Sequence, residues 1–165
     1  MKVMVTGASG TLGRELVKWF HNPITPTHSQ MPIEDKGKVN QCIEDIRPDL
    51  LIHLAATVDI NICEVNKEET WGIHVNGTEN LVDACMRFCP KCRFVYMSSP
   101  SVFDGEYVKE ETVKPKKEKH YTNTDTFYGY TKSIGEIIVK RSSLTWIIIR
   151  GQFLARAPYK HPKAF

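Results

Sequence analysis

No apolar run in the sequence approaches the length of a bilayer-spanning helix, so neither a membrane segment nor a membrane partner is expected. An excess of one charge sign is also missing. Against 22 basic residues stand 19 acidic ones, a formal net charge of +3, and the two signs interleave along the chain. Nucleic-acid binding needs basic residues massed on one face, so no nucleic-acid partner is expected. Internal repeats and low-complexity stretches are absent too, which sets aside solenoids and disordered linkers. Met1-Lys2-Val3-Met4-Val5 enters a strand pattern at once, with no signal-peptide pattern before it; a cytoplasmic location is expected.

The cysteines do not pair off. There are five, Cys42, Cys63, Cys85, Cys89 and Cys92, and an odd number without an export signal argues for reduced thiols. Cys89-Pro90-Lys91-Cys92 has the spacing of half a zinc knuckle, and Cys85 could add a third thiolate. A structural site needs four ligands and no second CxxC exists, so the sequence predicts no metal there, only a helix end turning into a strand.

What is present is an alternation of apolar runs with helical segments, the pattern of an α/β doubly wound (Rossmann) parallel sheet. The 165 residues suit one compact domain. The strands expected are Val3–Val5, a weak one near Ile24–Ser29 broken by Pro23 and Pro26, Leu50–Leu54, Phe94–Met97 and Trp146–Ile149. Between them fall helices carrying Leu12, Leu16, Val17 and Phe20, then Val39–Ile46, Thr70–Phe88 and Tyr128–Arg141. The lysine-rich stretch from Glu106 to Thr126 reads as a surface loop long enough to act as a lid.

Thr6-Gly7-Ala8-Ser9-Gly10-Thr11-Leu12-Gly13 lies between the first strand and the first helix. Glycine permits a tight turn and a close backbone approach, and the following helix start offers free N–H groups to a pyrophosphate. Gly7, Ser9, Gly10, Thr11, Leu12 and Gly13 are therefore the candidate phosphate-binding residues. An acid ending the second strand would bind the ribose 2′-OH of NAD. The slot falls near Thr27-His28-Ser29, where no acid stands, and His28 could meet a 2′-phosphate. This points to NADPH as cofactor, with NADH the other candidate.

Tyr128 and Lys132 stand four residues apart at the start of a helix, so they share a face. A neighbouring cation favours the phenolate and makes tyrosine a better proton-transfer group near neutral pH. Ser98-Ser99 ends the preceding strand, and ligands in open α/β sheets bind beyond the carboxyl ends of strands. A hydroxyl there can hold a substrate carbonyl oxygen while Tyr128 donates a proton.

Together these residues resemble the extended short-chain dehydrogenase/reductase family along almost the whole chain. Thr6 to Gly13 looks like its TGxxGxxG turn, Ser99 like its catalytic Ser/Thr, Tyr128 with Lys132 like its YxxxK pair, and Val75-Asn76-Gly77-Thr78 like its Asn-containing segment. Within the family the dTDP-4-dehydrorhamnose reductase branch is the better match. Arg47 to Ala56 is similar to its RPDxVIxxAA, Ser98 to Gly105 to its STxxVFDG, and Tyr128 to Glu136 to its YGxTKxxGE. The resemblance implies reduction of a nucleotide-linked 4-keto sugar by NADPH, with a nucleotide-sugar substrate as partner. It assigns Ser99, Tyr128 and Lys132 as catalytic, Lys132 also binding the nicotinamide ribose and lowering the Tyr128 pKa. It places Ala55 and Ala56 along the cofactor.

The chain departs from the branch in three ways, one being a loop before Tyr128 that is longer and more basic than usual and lacks the customary proline just before Tyr128-Gly129. Pro32-Ile33 stands where the family carries Asp-Ile, and family members continue well past Phe165 into a domain that binds the nucleotide sugar. Residues 1–150 are thus read as the NAD(P)-binding domain and 151–165 as the start of a truncated substrate-binding region. Two other functions stay open: an NAD-dependent sugar-nucleotide epimerase or dehydratase, which uses the same three residues, and a non-catalytic NAD(P)-binding regulatory module or enzyme fragment. A homodimer is compatible with every reading.

Overall fold

The computed structural model describes residues 1–103, 117, 122 and 124–151. Four short strands form one parallel sheet in the order β1 (Val3–Thr6), β2 (Leu50–His53), β3 (Arg93–Ser98) and β4 (Thr145–Arg150). Successive side chains on a strand point to opposite faces, and the register aligns Met4, Leu51 and Phe94 on one face and Val5, Ile52, Val95 and Ile147 on the other. On the first face Met4, Leu51, Phe94 and Tyr96 pack against Val39 and Ile43 of one helix, Leu81, Val82 and Ala84 of a second, and Val139 of a third. These helices are α2 (Lys36–Ile46), α5 (Gly77–Phe88) and α6 (Phe127–Arg141). On the second face Val3, Val5 and Ile52 pack against Leu16, Val17 and Phe20, which come from α1 (Thr11–Leu16), the single 3₁₀ turn after it, and the residue beyond. Helices on both faces make the sheet doubly wound, as the alternating pattern implied.

The expected second strand shrinks to one residue. Ile24 bridges Met4 in parallel, its carbonyl accepting from Val5 N at 2.9 Å and its N–H donating to Val3 O at 2.8 Å. Pro23 and Pro26 lack the N–H that a longer ladder would need. Ile24 lies across β1 from β2, so the chain order reverses at β1. That reversal is the switch point at which open α/β sheets bind ligands.

The long helix expected from Thr70 begins earlier, as α4 (Lys67–Trp71), and passes through one π turn (Gly72–Asn76) into α5. A short helix that the periodicity did not reveal, α3 (Ile60–Val65), precedes it; the Asp59 carboxylate caps it by accepting from Asn61 N and Ile62 N at 2.9 and 3.2 Å. Most of the stretch read as a lid, and residues 152–165 of the region read as substrate-binding, lie outside the described residues. Among the described residues, no helix is long and apolar enough to cross a membrane.

Candidate active site

β1 ends in the glycine turn, and the turn is shaped by what it touches. Gly7 has φ +70°, and a Cβ there would lie 2.6 Å from the backbone N of Ala55. Glycine is therefore required both by conformation and by space. At Gly7 the turn after β1 meets the backbone of Leu54-Ala55 where the chain leaves β2, and Gly10 N closes the turn by donating to Gly7 O at 3.0 Å. Ser9, Gly10 and Thr11 are exposed, Leu12 is half-buried and Gly13 is buried against the turn. A backbone cradle open on one side and free of side-chain bulk fits the pyrophosphate of a nicotinamide dinucleotide.

His28 sits on an exposed turn, with Nε2 2.9 Å from Glu34 Oε1. The carboxylate that the sequence lacks beside Thr27-His28-Ser29 is thus supplied six residues further on. His28 is partnered by this acid rather than presented alone.

Ser99 ends the strand region of β3 and caps a single 3₁₀ turn, its Oγ accepting from Ser101 N at 3.2 Å. The start of α6 rests directly on this turn: a Cβ at Gly129 would overlap Ser101 O. Burial pushes the Tyr128 phenol up, while the neighbouring Ser99 hydroxyl acts in the opposite direction. Lys132, one turn on, is buried, with Nζ 4.2 Å from the centre of the Tyr96 ring. Burial pushes its ammonium down to about 7, against the pull of Glu136 in the other direction.

Lys132 Nζ thus stands over the Tyr96 ring while Tyr128 lies one turn earlier on α6; i,i+4 spacing fixes a shared face but not how far each side chain sinks into the core.

A hydrogen-bond ladder that the sequence reading missed joins the two halves of the site. The Thr57 backbone N–H donates to His74 Nε2 at 3.0 Å, so Nδ1 carries the proton and donates to Thr131 Oγ1 at 2.8 Å. Thr131 in turn donates to the Tyr128 carbonyl at 2.9 Å. On the other side Thr78 Oγ1 donates to His74 O at 2.6 Å. It therefore accepts from His53 Nε2 at 3.1 Å, and His53 Nδ1 accepts from Thr6 Oγ1 at 2.8 Å. Burial holds both imidazoles neutral, with His74 brought down to about 4. The residue before Gly7 is thus connected to Tyr128 through side chains whose protons are all placed.

About two turns along α6 from Tyr128 stands a buried carboxylate, Glu136, also missed. It accepts from Ser98 Oγ at 2.7 Å, from Arg150 Nε and NH2 at 2.7 and 2.6 Å, and from Lys140 Nζ at 3.0 Å. These bonds hold it down at about 2 against the opposing effect of burial. Two signals were available in the sequence. His53 is the one polar residue in Leu50-Leu51-Ile52-His53-Leu54, and Glu136 continues the spacing of Tyr128 and Lys132 by another four residues.

The model of the RmlD substrate binding domain matches residues 1–160. The dTDP-4-dehydrorhamnose reductase of Aggregatibacter actinomycetemcomitans is 26% identical over 159 residues, covering 90% of this chain and 50% of its own length. Methionine adenosyltransferase 2 subunit beta of Bos taurus is 28% identical over 160 residues, covering 90% of this chain and 46% of its own. The crystal structure of dTDP-4-dehydrorhamnose reductase from Bacillus anthracis in complex with NADP matches with a TM-score of 0.80 at 27% identity, over 91% of this chain and 53% of that one. The chain spans about half the length of the curated relatives it matches.

Proposed function

Because the chain belongs to the RmlD substrate binding domain family, we propose that it forms the dinucleotide-binding part of a reductase that acts on nucleotide-linked 4-keto sugars with NADPH. The observation that supports this most is the seating of the start of α6, which carries Tyr128, on the Ser99-capped turn at the carboxyl end of β3, at the same end of the sheet as the Gly7 turn and Ala55-Ala56. In this reading Gly7, Ser9, Gly10, Thr11, Leu12 and Gly13 hold the pyrophosphate. Ala55 and Ala56 line the path of the dinucleotide. NADPH, when bound, supplies the reducing equivalents. Ser99 donates a hydrogen bond to the ketone oxygen, and Tyr128 gives that oxygen its proton as it becomes a hydroxyl. The raised phenol remains protonated at neutral pH, as a proton donor must. Lys132 would bind the nicotinamide ribose and add positive charge when protonated, with the ladder through His74 and Thr131 fixing the helix that carries the pair.

A thermal-shift titration with NADPH and NADH side by side tests the reading. A ligand that binds only the folded chain stabilises it by about 2.7 kcal/mol at a hundred times its Kd. A rise with both cofactors, larger with NADPH, is the expected result; no rise with either ends the dinucleotide reading. A larger rise with NADH would move the preference to NAD and to the epimerase or dehydratase alternative, whose products show no net redox change. A second reading, a dinucleotide-binding regulatory module, is favoured by the similarity to methionine adenosyltransferase 2 subunit beta. Stabilisation by NADPH without turnover of any nucleotide-linked keto sugar is its signature.

A further inference from the structure

At the opposite end of the sheet from the glycine turn, three cysteines converge. Cys85 lies in the last turn of α5, Cys89 is the residue that ends it, and Cys92 immediately precedes β3. Cys89 N donates to Cys85 O at 2.9 Å and Cys92 N to Cys89 O at 2.8 Å. The backbone thus folds the C-x3-C-x2-C run into a closed hook with its sulfurs turned inward. Each Sγ lies within 4.8 Å of the other two. Cys85 and Cys92 are buried and Cys89 is half-buried, so the group opens to solvent on the Cys89 side.

From this convergence we propose that Cys85, Cys89 and Cys92 form a three-thiolate site for a thiophilic closed-shell ion such as Zn²⁺. A Zn–S bond is about 2.3 Å, which sets sulfurs sharing one zinc roughly 3.8–4.0 Å apart. The three sulfurs need to close by less than about 1 Å to reach that geometry, within what side-chain torsions supply. Soft thiolates select Zn²⁺ or Cu⁺ over Mg²⁺ or Ca²⁺. Three protein ligands leave a fourth position for water on the open side.

Binding replaces three thiol protons by one divalent ion and leaves a net charge of −1 on the complex. The ion would pin the end of α5 to the start of β3, away from the dinucleotide site, and so adds a function that the reductase reading does not need.

Cysteines packed as small apolar side chains give the same burial without metal, so the test must count thiolates. The reduced chain is titrated with Cd²⁺ under inert gas, and the thiolate-to-cadmium charge-transfer absorbance is followed. Native mass spectrometry on the same samples counts ions and displaced protons. One Cd²⁺ per chain with three protons lost is the expected result. Loss of a mere outer-shell partner costs about 10–100-fold in metal affinity, so Cys89→Ser should cost at least about 100-fold, while Cys42→Ser and Cys63→Ser leave affinity unchanged. Zn²⁺ should displace or block Cd²⁺ at the same stoichiometry. No retained ion, fewer than three protons displaced, or equal binding by Cys89→Ser overturns the proposal. If Cys89→Ser fails to fold by far-ultraviolet circular dichroism, the proton count on the unaltered chain still decides.

Discussion

At the scale of single residues, the informative group is Lys132. Its ammonium is buried beside the Tyr96 ring and brought down to about 7, whereas in an unfolded chain it stays near 10.4. Between those two values the unfolded chain holds a proton that the folded chain has released. Stability should therefore climb as pH rises from about 7 towards about 10, and the cost of the buried charge is fully felt below 7. Lys132→Met keeps the length of the side chain and removes this cost. It should stabilise the chain at pH 7 by on the order of 2–4 kcal/mol, less the cation–π contact that is lost, and should flatten the climb. Urea melts at pH 6, 7 and 9 measure both; a less stable Lys132→Met at pH 7 refutes the argument. The same variant should lose the NADPH-dependent stabilisation, the usual exchange of stability for function at a site residue. Tyr128 and Lys132 were legible in the sequence because helical spacing fixes a shared face. The depth of Lys132 was not, because it depends on Tyr96 and on two histidines contributed by β2 and the π turn.

At the scale of elements, α6 is the part on which the site depends, and Glu136 is what fastens it. Its carboxylate receives Ser98 from β3, Arg150 from β4 and Lys140 from α6 itself. Removing one partner of a buried charged group costs about 3–5 kcal/mol. Glu136→Gln should therefore lower stability by about 3 kcal/mol, read as a fall in the denaturation midpoint with an unchanged slope. The carboxyl is held at about 2 in the folded chain, against about 4.3 when unfolded. Its contribution is present above about 4.3 and is lost as pH falls towards 2. The variant should accordingly lose part of the acid sensitivity between those limits, and identical acid profiles would contradict this. The four longer strands were legible from their apolar runs, as were the helices with a clear amphipathic period. Ile24 contributes a single bridge because the prolines on either side remove ladder donors. The π turn at Gly72–Asn76 and the six-residue α3 escaped because neither carries enough turns to establish a period; tertiary packing and the Asp59 cap decide them.

At the scale of the whole molecule, the described residues cover the two faces of the sheet differently. One face lies under α2, α5 and α6, while on the other α1 and the turn after it pack against Val3, Val5 and Ile52, with Val95 at the margin. Ile147 and Ile149 of β4, on that second face, are 58% and 42% exposed. Adjacent apolar residues exposed on a sheet face mark a surface that another surface covers, and a net charge of +3 offers little repulsion between copies. The 165-residue chain should therefore associate as its concentration rises. Ile147→Thr with Ile149→Thr keeps the β-branched shape that suits a strand and removes most of the exposed apolar area. Sedimentation velocity over a wide concentration range should show the unaltered chain shifting to larger species and the double variant remaining monomeric, with thermal midpoints close to one another. If the unaltered chain stays monomeric throughout, the bare face of β4 is tolerated by water and is not an association surface. If both chains associate alike, the contact lies elsewhere on the molecule.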